Sequence, residues 1–169
     1  MRAKLIVEGK EFVIDIMDPE LAKLVQPEKK TGYEKVKEYN KVYYYITGSG
    51  DIMLSRSSND PCEKSHYENA SYYSDKTVAE NNARADKLMR QLRRFAVENR
   101  VNNIDWNDEH LKKYTIRFSY ASKELFCDSE VLGRDFGNIP FDSEDAAKAA
   151  IKAFHDELIW YFTEYKDSL

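Results

Sequence analysis

Apolar positions along the chain follow two different periods, and the switch between them outlines the fold. KLIVEGKEFVIDI (4–16) sets two aliphatic runs around Glu8-Gly9-Lys10-Glu11, the pattern of a β-hairpin. Asp18 then offers an N-cap with Pro19 at the first helical position, and Leu21, Leu24 and Val25 form an apolar face before Pro27 stops the helix. VYYYITGSGDIMLS (42–55) reads as strand, Gly48-Ser49-Gly50 turn and strand. SYY (71–73) is a short strand. After a cap at Ser74 or Asp75, the spacing of Val78, Ala85, Leu88, Met89, Leu92, Phe95 and Ala96 predicts a helix to about Asn99. The plan then recurs. YTIRFSY (114–120) and ELFCDSEV (124–131) are strands around Ala121-Ser122-Lys123, and IPF (139–141) is a third. Asp142 or Ser143 caps a final long helix carrying Ala147, Ile151, Phe154, Leu158, Tyr161, Phe162 and Tyr165.

Two stretches make the recurrence explicit. ENASYYSDKTVAENNA (68–83) and FGNIPFDSEDAAKAAI (136–151) align 68 positions apart, matching Tyr73 with Phe141, Asp75 with Ser143 and Ala79 with Ala147. A lone β-β-β-α unit has too little apolar face to build a core, whereas two side by side can bury both. True duplication and separate use of one capped corner both remain open. The expected architecture is α+β: an N-terminal hairpin and short helix (1–26), a linker (27–41), a first β-β-β-α unit (42–100) and a second (101–169). The units are expected to share antiparallel sheet and to pack two long helices. RSSNDPCEKSHYENA (56–70) reads as a polar loop, and NRVNNIDWNDEH (99–110) as a connector carrying Trp106.

Composition narrows the class. With 169 residues, 13% aromatic and 33% charged, the chain can bury a core beneath a very polar surface. No apolar run approaches the roughly 20 residues of a membrane helix, and the charged start argues against a signal peptide. A cytoplasmic setting is expected, with Cys62 and Cys127 as free thiols and Asn69-Ala70-Ser71 an accidental sequon. Net charge is −4, but residues 124–169 hold 11 acidic against 4 basic side chains, leaving the first 123 residues at +3.

Candidate chemistry is sparse. Nucleotide-binding, metalloprotease and nucleophile-elbow motifs are absent, so no enzyme and no cofactor are expected. Cys62 and His66 have a zinc-like spacing, but His110, His155 and Cys127 complete no set of four, and no metal is expected. Asp105, Asp108 and Glu109 surround Trp106, which is read first as a core plug between the units and second as a stacking platform. ARADKLMRQLRRFAVENR places Arg84, Lys87, Gln91 and Arg94 along one helix face, with Arg90 and Arg93 beside it. Such a face can meet phosphates, or it can simply be solvated. DSEVLGRDFG (128–137) is the acidic counterpart. Asp128, Glu130 and Asp135 are candidate partner contacts, against a plainer reading as solubilising and capping charges. Tyr43, Tyr44 and Tyr45 place aromatics on both faces of one strand, which makes Tyr44 a candidate interface anchor.

NIDWNDEHLKKYTIRF, FGNIPFDSEDAAKAAIKAF with the following LIWYF, and KLIVEGKEFVIDIMDPELAKLV resemble stretches of small proteins encoded by phages and prophages of Gram-positive bacteria. The resemblance implies a setting and no site. In that setting, small accessory proteins block host defence machinery, anti-CRISPR proteins among them. The expected function is therefore non-enzymatic binding to a host defence protein or ribonucleoprotein. The alternatives are nucleic-acid binding through the 84–94 face, and a phage structural or assembly protein that self-associates.

Overall fold

The computed structural model describes residues 2–7, 10–17, 30–131, 133 and 137–165. The short helix expected at 18–26 lies outside them. β1 (Arg2–Val7) and β2 (Lys10–Asp15) pair antiparallel from Arg2↔Asp15 to Val7↔Lys10. Lys10 and Glu11 are thus strand residues, because the ladder runs further than the aliphatic runs alone suggested.

The first unit contains β3 (Val42–Ile46), β4 (Ile52–Arg56), α1 (Pro61–Glu68), β5 (Tyr72–Tyr73) and α2 (Lys76–Glu98). The second contains β6 (Lys113–Ser119), β7 (Glu124–Glu130), α3 (Glu144–Ala153) and α4 (His155–Thr163). β3 pairs with β4 on one side and β5 on the other, with Tyr44 opposite Tyr73. β6 does the same with β7 and with Phe141, which exchanges backbone hydrogen bonds of 2.9 and 2.8 Å with Tyr114.

The matched residues of the echo do matched jobs. Tyr73 and Phe141 are buried partners of the central strand. Asp75 accepts from the Val78 N–H and Ser143 from the Ala146 N–H, so both are N-caps. Ala79 and Ala147, one turn into their helices, have no exposed surface. Small residues there let each helix sit close on its sheet.

The structure departs from expectation in four further places, the first being that the third strand expected at 139–141 is only a single bridge from Phe141 to Tyr114. Residues 61–68 are helix rather than loop: Asp60 accepts from the Glu63 N–H and Pro61 occupies the first turn, where its missing N–H costs nothing. The final helix is two helices, because Phe154 leaves helical geometry (φ −120°, ψ 23°) and sets its ring edge-on to Phe95. The two units also carry separate sheets rather than a shared one.

The helices join the units instead. Leu88, Leu92 and Ala96 from the second half of α2 are buried with Phe141, Ala146, Ala147, Ala150 and Leu158 of the second unit. A smaller cluster forms on the far face of the first sheet, where Val36, Tyr43 and Tyr72 meet. Residues 30–41 have no helix or strand, yet they pack here: the Val36 N–H donates to the Tyr72 hydroxyl oxygen at 3.0 Å, and Tyr33 stacks obliquely on Tyr73. Gly32 (φ +88°) passes so close to α2 that a Cβ there would lie 2.6 Å from Val78.

Candidate nucleic-acid interface

The outward face of α2 carries the basic stretch. Val78-to-Ala96 apolar spacing turns Leu88 and Leu92 inward, which leaves Lys87, Arg90 and Arg94 exposed on the other side and Arg84 exposed at the edge of the buried face. Two clefts open along this face. One, of about 690 Å³, lies between α2 and the α3–α4 junction and is lined by Arg84, Lys87, Gln91, Lys152, His155 and Glu157, among others. The other, of about 530 Å³, lies between α2 and the β3–β4 turn, with Lys87, Arg90, Gln91 and Arg94 facing Ser49-Gly50-Asp51. Lys87 and Gln91 belong to both, so the clefts form one basic furrow crossing the helix.

Four contacts engage its arginines. Gly50 (φ +94°) closes the hairpin turn, and the Arg90 guanidinium lies 2.7 Å from where a Cβ at Gly50 would be. The turn therefore holds Arg90 against itself. Arg84 makes a two-point ion pair with Glu157 (2.8 and 3.0 Å) and lies 3.9 Å above the Trp160 ring. The hydrogen bond from Arg84 holds the Glu157 carboxyl below its ordinary range, and burial opposes this only in part. Arg94 approaches Glu98 at 3.8 Å, a loose exposed pair. Among the described residues Lys87 and Lys152 make no ion pair.

The acidic candidates sit elsewhere. Asp128 and Glu130 project from β7 on the same side of the ribbon as Arg117, whose guanidinium bridges both, at 3.1 Å to Asp128 and in a short contact to Glu130. Asp135 lies outside the described residues. Tyr44 is half-buried and shares its strand face with Tyr73, towards α2, so it is not on the ribbon with the two carboxylates. The structure does not bring the acidic residues and Tyr44 together.

Trp106 is not a core plug. It is 37% exposed and lies beside the fully buried Lys113, whose ammonium sits 5.8 Å from the ring. That ammonium donates to the Asp108 and Val131 carbonyls at 2.7 and 3.0 Å. Asp105 caps the local turn by accepting from the Asn107 N–H. Cys62 is exposed, and His66 stacks on Tyr45 with Nδ1 3.2 Å from the Tyr43 hydroxyl. Among the described residues no three His, Cys, Asp or Glu side chains gather as metal ligands. No described helix is long and apolar enough to cross a membrane.

Lys152, Glu157 and Trp160 belong to the furrow but were not legible as site residues. They reach it only because α3 and α4 come to lie against α2, which sets Glu157 on Arg84 from 73 positions away in the chain. A further cleft of about 510 Å³, walled by Leu88, Leu92, Ile116, Phe118, Leu158 and Phe162, runs along the other side of α2. Comparison with known proteins finds no family model, no curated protein and no solved structure that matches the chain.

Proposed function

We propose that this chain is a non-enzymatic binding protein that contacts the phosphate backbone of duplex nucleic acid through the basic furrow of α2. The observation that carries this reading is the convergence of Lys87, Arg90, Arg94 and Lys152, all exposed, on two adjoining clefts. Lys and Arg at such spacing provide sequence-independent affinity by releasing counterions. Arg84 and Arg94 are ten residues apart, a rise of about 15 Å, which matches a short run of backbone phosphates rather than a single ion. A duplex suits the furrow better than a single strand. Single-strand sites stack bases on open aromatic rings, whereas here Phe154 packs on Phe95 and Trp160 lies beneath Arg84. In the phage setting that the resemblance implies, the duplex is one held by a host defence ribonucleoprotein.

The competing inhibitor reading relies on Asp128, Glu130, Asp135 and Tyr44 docking on a protein. Arg117 already bridges two of these carboxylates and offsets one of their two charges, which weakens their pull on a basic partner. Fluorescence anisotropy with a short labelled duplex separates the two. We expect weak binding whose log Kobs falls with log salt at a slope of about −3.6, for four phosphate contacts. Arg90→Glu with Arg94→Glu should abolish it. Absence of salt-sensitive duplex binding, with tight capture of a host protein that charge reversal at Asp128 and Glu130 slows, would replace this proposal with the inhibitor reading.

A further inference from the structure

Arg84 is the one cation of the furrow already engaged in the geometry that a phosphate uses. Its Nε and Nη2 point together at the two carboxylate oxygens of Glu157, at 2.8 and 3.0 Å, a two-point contact that a phosphodiester can reproduce with two of its oxygens. Trp160 supports the guanidinium from behind at 3.9 Å, so its position does not depend on Glu157 alone. Both members of the pair are close to half-exposed, at 43% and 42%. An ion pair in contact with water is a weak one, and a competing anion can replace half of it. Lys87 and Lys152 line the same cleft and would strengthen the hold of a phosphate more than that of a single carboxylate.

We infer that Glu157 is a built-in competitor for the phosphate-binding position of Arg84, keeping that arginine aligned when the furrow is empty and yielding it when a duplex docks. This rests on the phosphate-binding reading above. Wild-type affinity therefore counts four phosphate contacts, and Arg84 becomes the fifth only by exchanging Glu157 for a phosphate. The exchange involves no proton: the carboxylate stays ionised and moves into water, where it is well solvated.

The test is a set of duplex titrations by anisotropy across a salt series, with Glu157→Gln as the central variant. Glu68→Gln, on α1 away from the furrow, serves as the charge-matched control. We expect Glu157→Gln to bind about threefold more tightly than Glu68→Gln, with a salt slope steeper by about 0.9 as Arg84 becomes a full contact. Adding Arg84→Gln should cancel that gain. A readout without mutation keeps the inference testable whatever the variants do to stability: in the unaltered protein the Arg84 Nε–Hε NMR resonance should move on titration with duplex. If the wild type binds duplex but Glu157→Gln matches Glu68→Gln and the Arg84 resonance stays fixed, Glu157 is a structural pair only and the inference falls. If the wild type shows no salt-sensitive duplex binding, the furrow itself is misread.

Discussion

Glu63 has no exposed surface, although it carries a carboxyl group. Burial alone would push its carboxyl up. Hydrogen bonds from the Asn59 N–H (2.7 Å), the Ser58 N–H (2.9 Å) and the Ser57 hydroxyl (2.9 Å) overcome this and hold it below the ordinary range. These donors belong to the turn that leads into α1, so one side chain ties β4 to the helix. Glu63→Ala should cost about 3 kcal/mol in chemical denaturation, since three donors lose a charged acceptor. The pH dependence has a definite sign. A folded pKa below the unfolded one gives stability that is complete above about pH 4.5 and lost as pH falls through the folded value. Acid titration of the melt should show this loss in the wild type and a shallower one in Glu63→Ala. Glu34 acts in the same direction, with its carboxyl lowered to about 2 by the Thr31 backbone N–H and by further bonds including the Ser74 hydroxyl.

At the scale of elements, each long connection into a helix is decided by its cap. Asp75 and Ser143 accept from the N–H three residues on, at 3.0 and 3.2 Å, and each stands two residues after a buried aromatic bridged to the central strand. Asp75→Ala and Ser143→Ala should each lower stability by about 1 kcal/mol, read from the denaturant midpoint. Because the caps are distant and share no partner, the double variant should lose close to the sum. Strong non-additivity would mean that the two corners are coupled through the helix–helix contact rather than built independently. Phe154 marks the opposite case, an interruption with no capping side chain, set by the contact of its ring with Phe95.

The molecule as a whole depends on α2, which begins on the first sheet and ends in the second core. Leu88, Leu92 and Ala96 supply the first unit's share of the larger apolar cluster. The larger core is therefore built from both units. A fragment of residues 101–169 lacks these three side chains and should be unfolded by circular dichroism, while a fragment of residues 74–169 should recover helical signal and a cooperative melt. An equally cooperative melt for 101–169 would show that the second unit has a core of its own. The basic furrow depends on the same arrangement, since α2 must lie between the β3–β4 turn and the α3–α4 junction for both clefts to exist.

Local chemistry was enough to read the strand–turn–strand patterns, the α2 helix and the paired corners, because period, capping residues and turn glycines act over a few positions. Tyr73 and Phe141, Asp75 and Ser143, and Ala79 and Ala147 could be matched by eye for that reason. α1 was missed, although Asp60, Pro61 and Glu63 form an N-terminal signature inside what was read as a polar loop. The basic residues of α2 could be named in advance, but not their surroundings. Whether Arg84 meets solvent or Glu157, whether Arg90 rests on Gly50, and whether Asp128 and Glu130 are free or bridged by Arg117 depend on which elements come to lie together. The break at Phe154 and the separation of the sheets belong with these. Periodicity records which face of an element is apolar, and only the packing of those faces decides which polar groups end up within reach of each other.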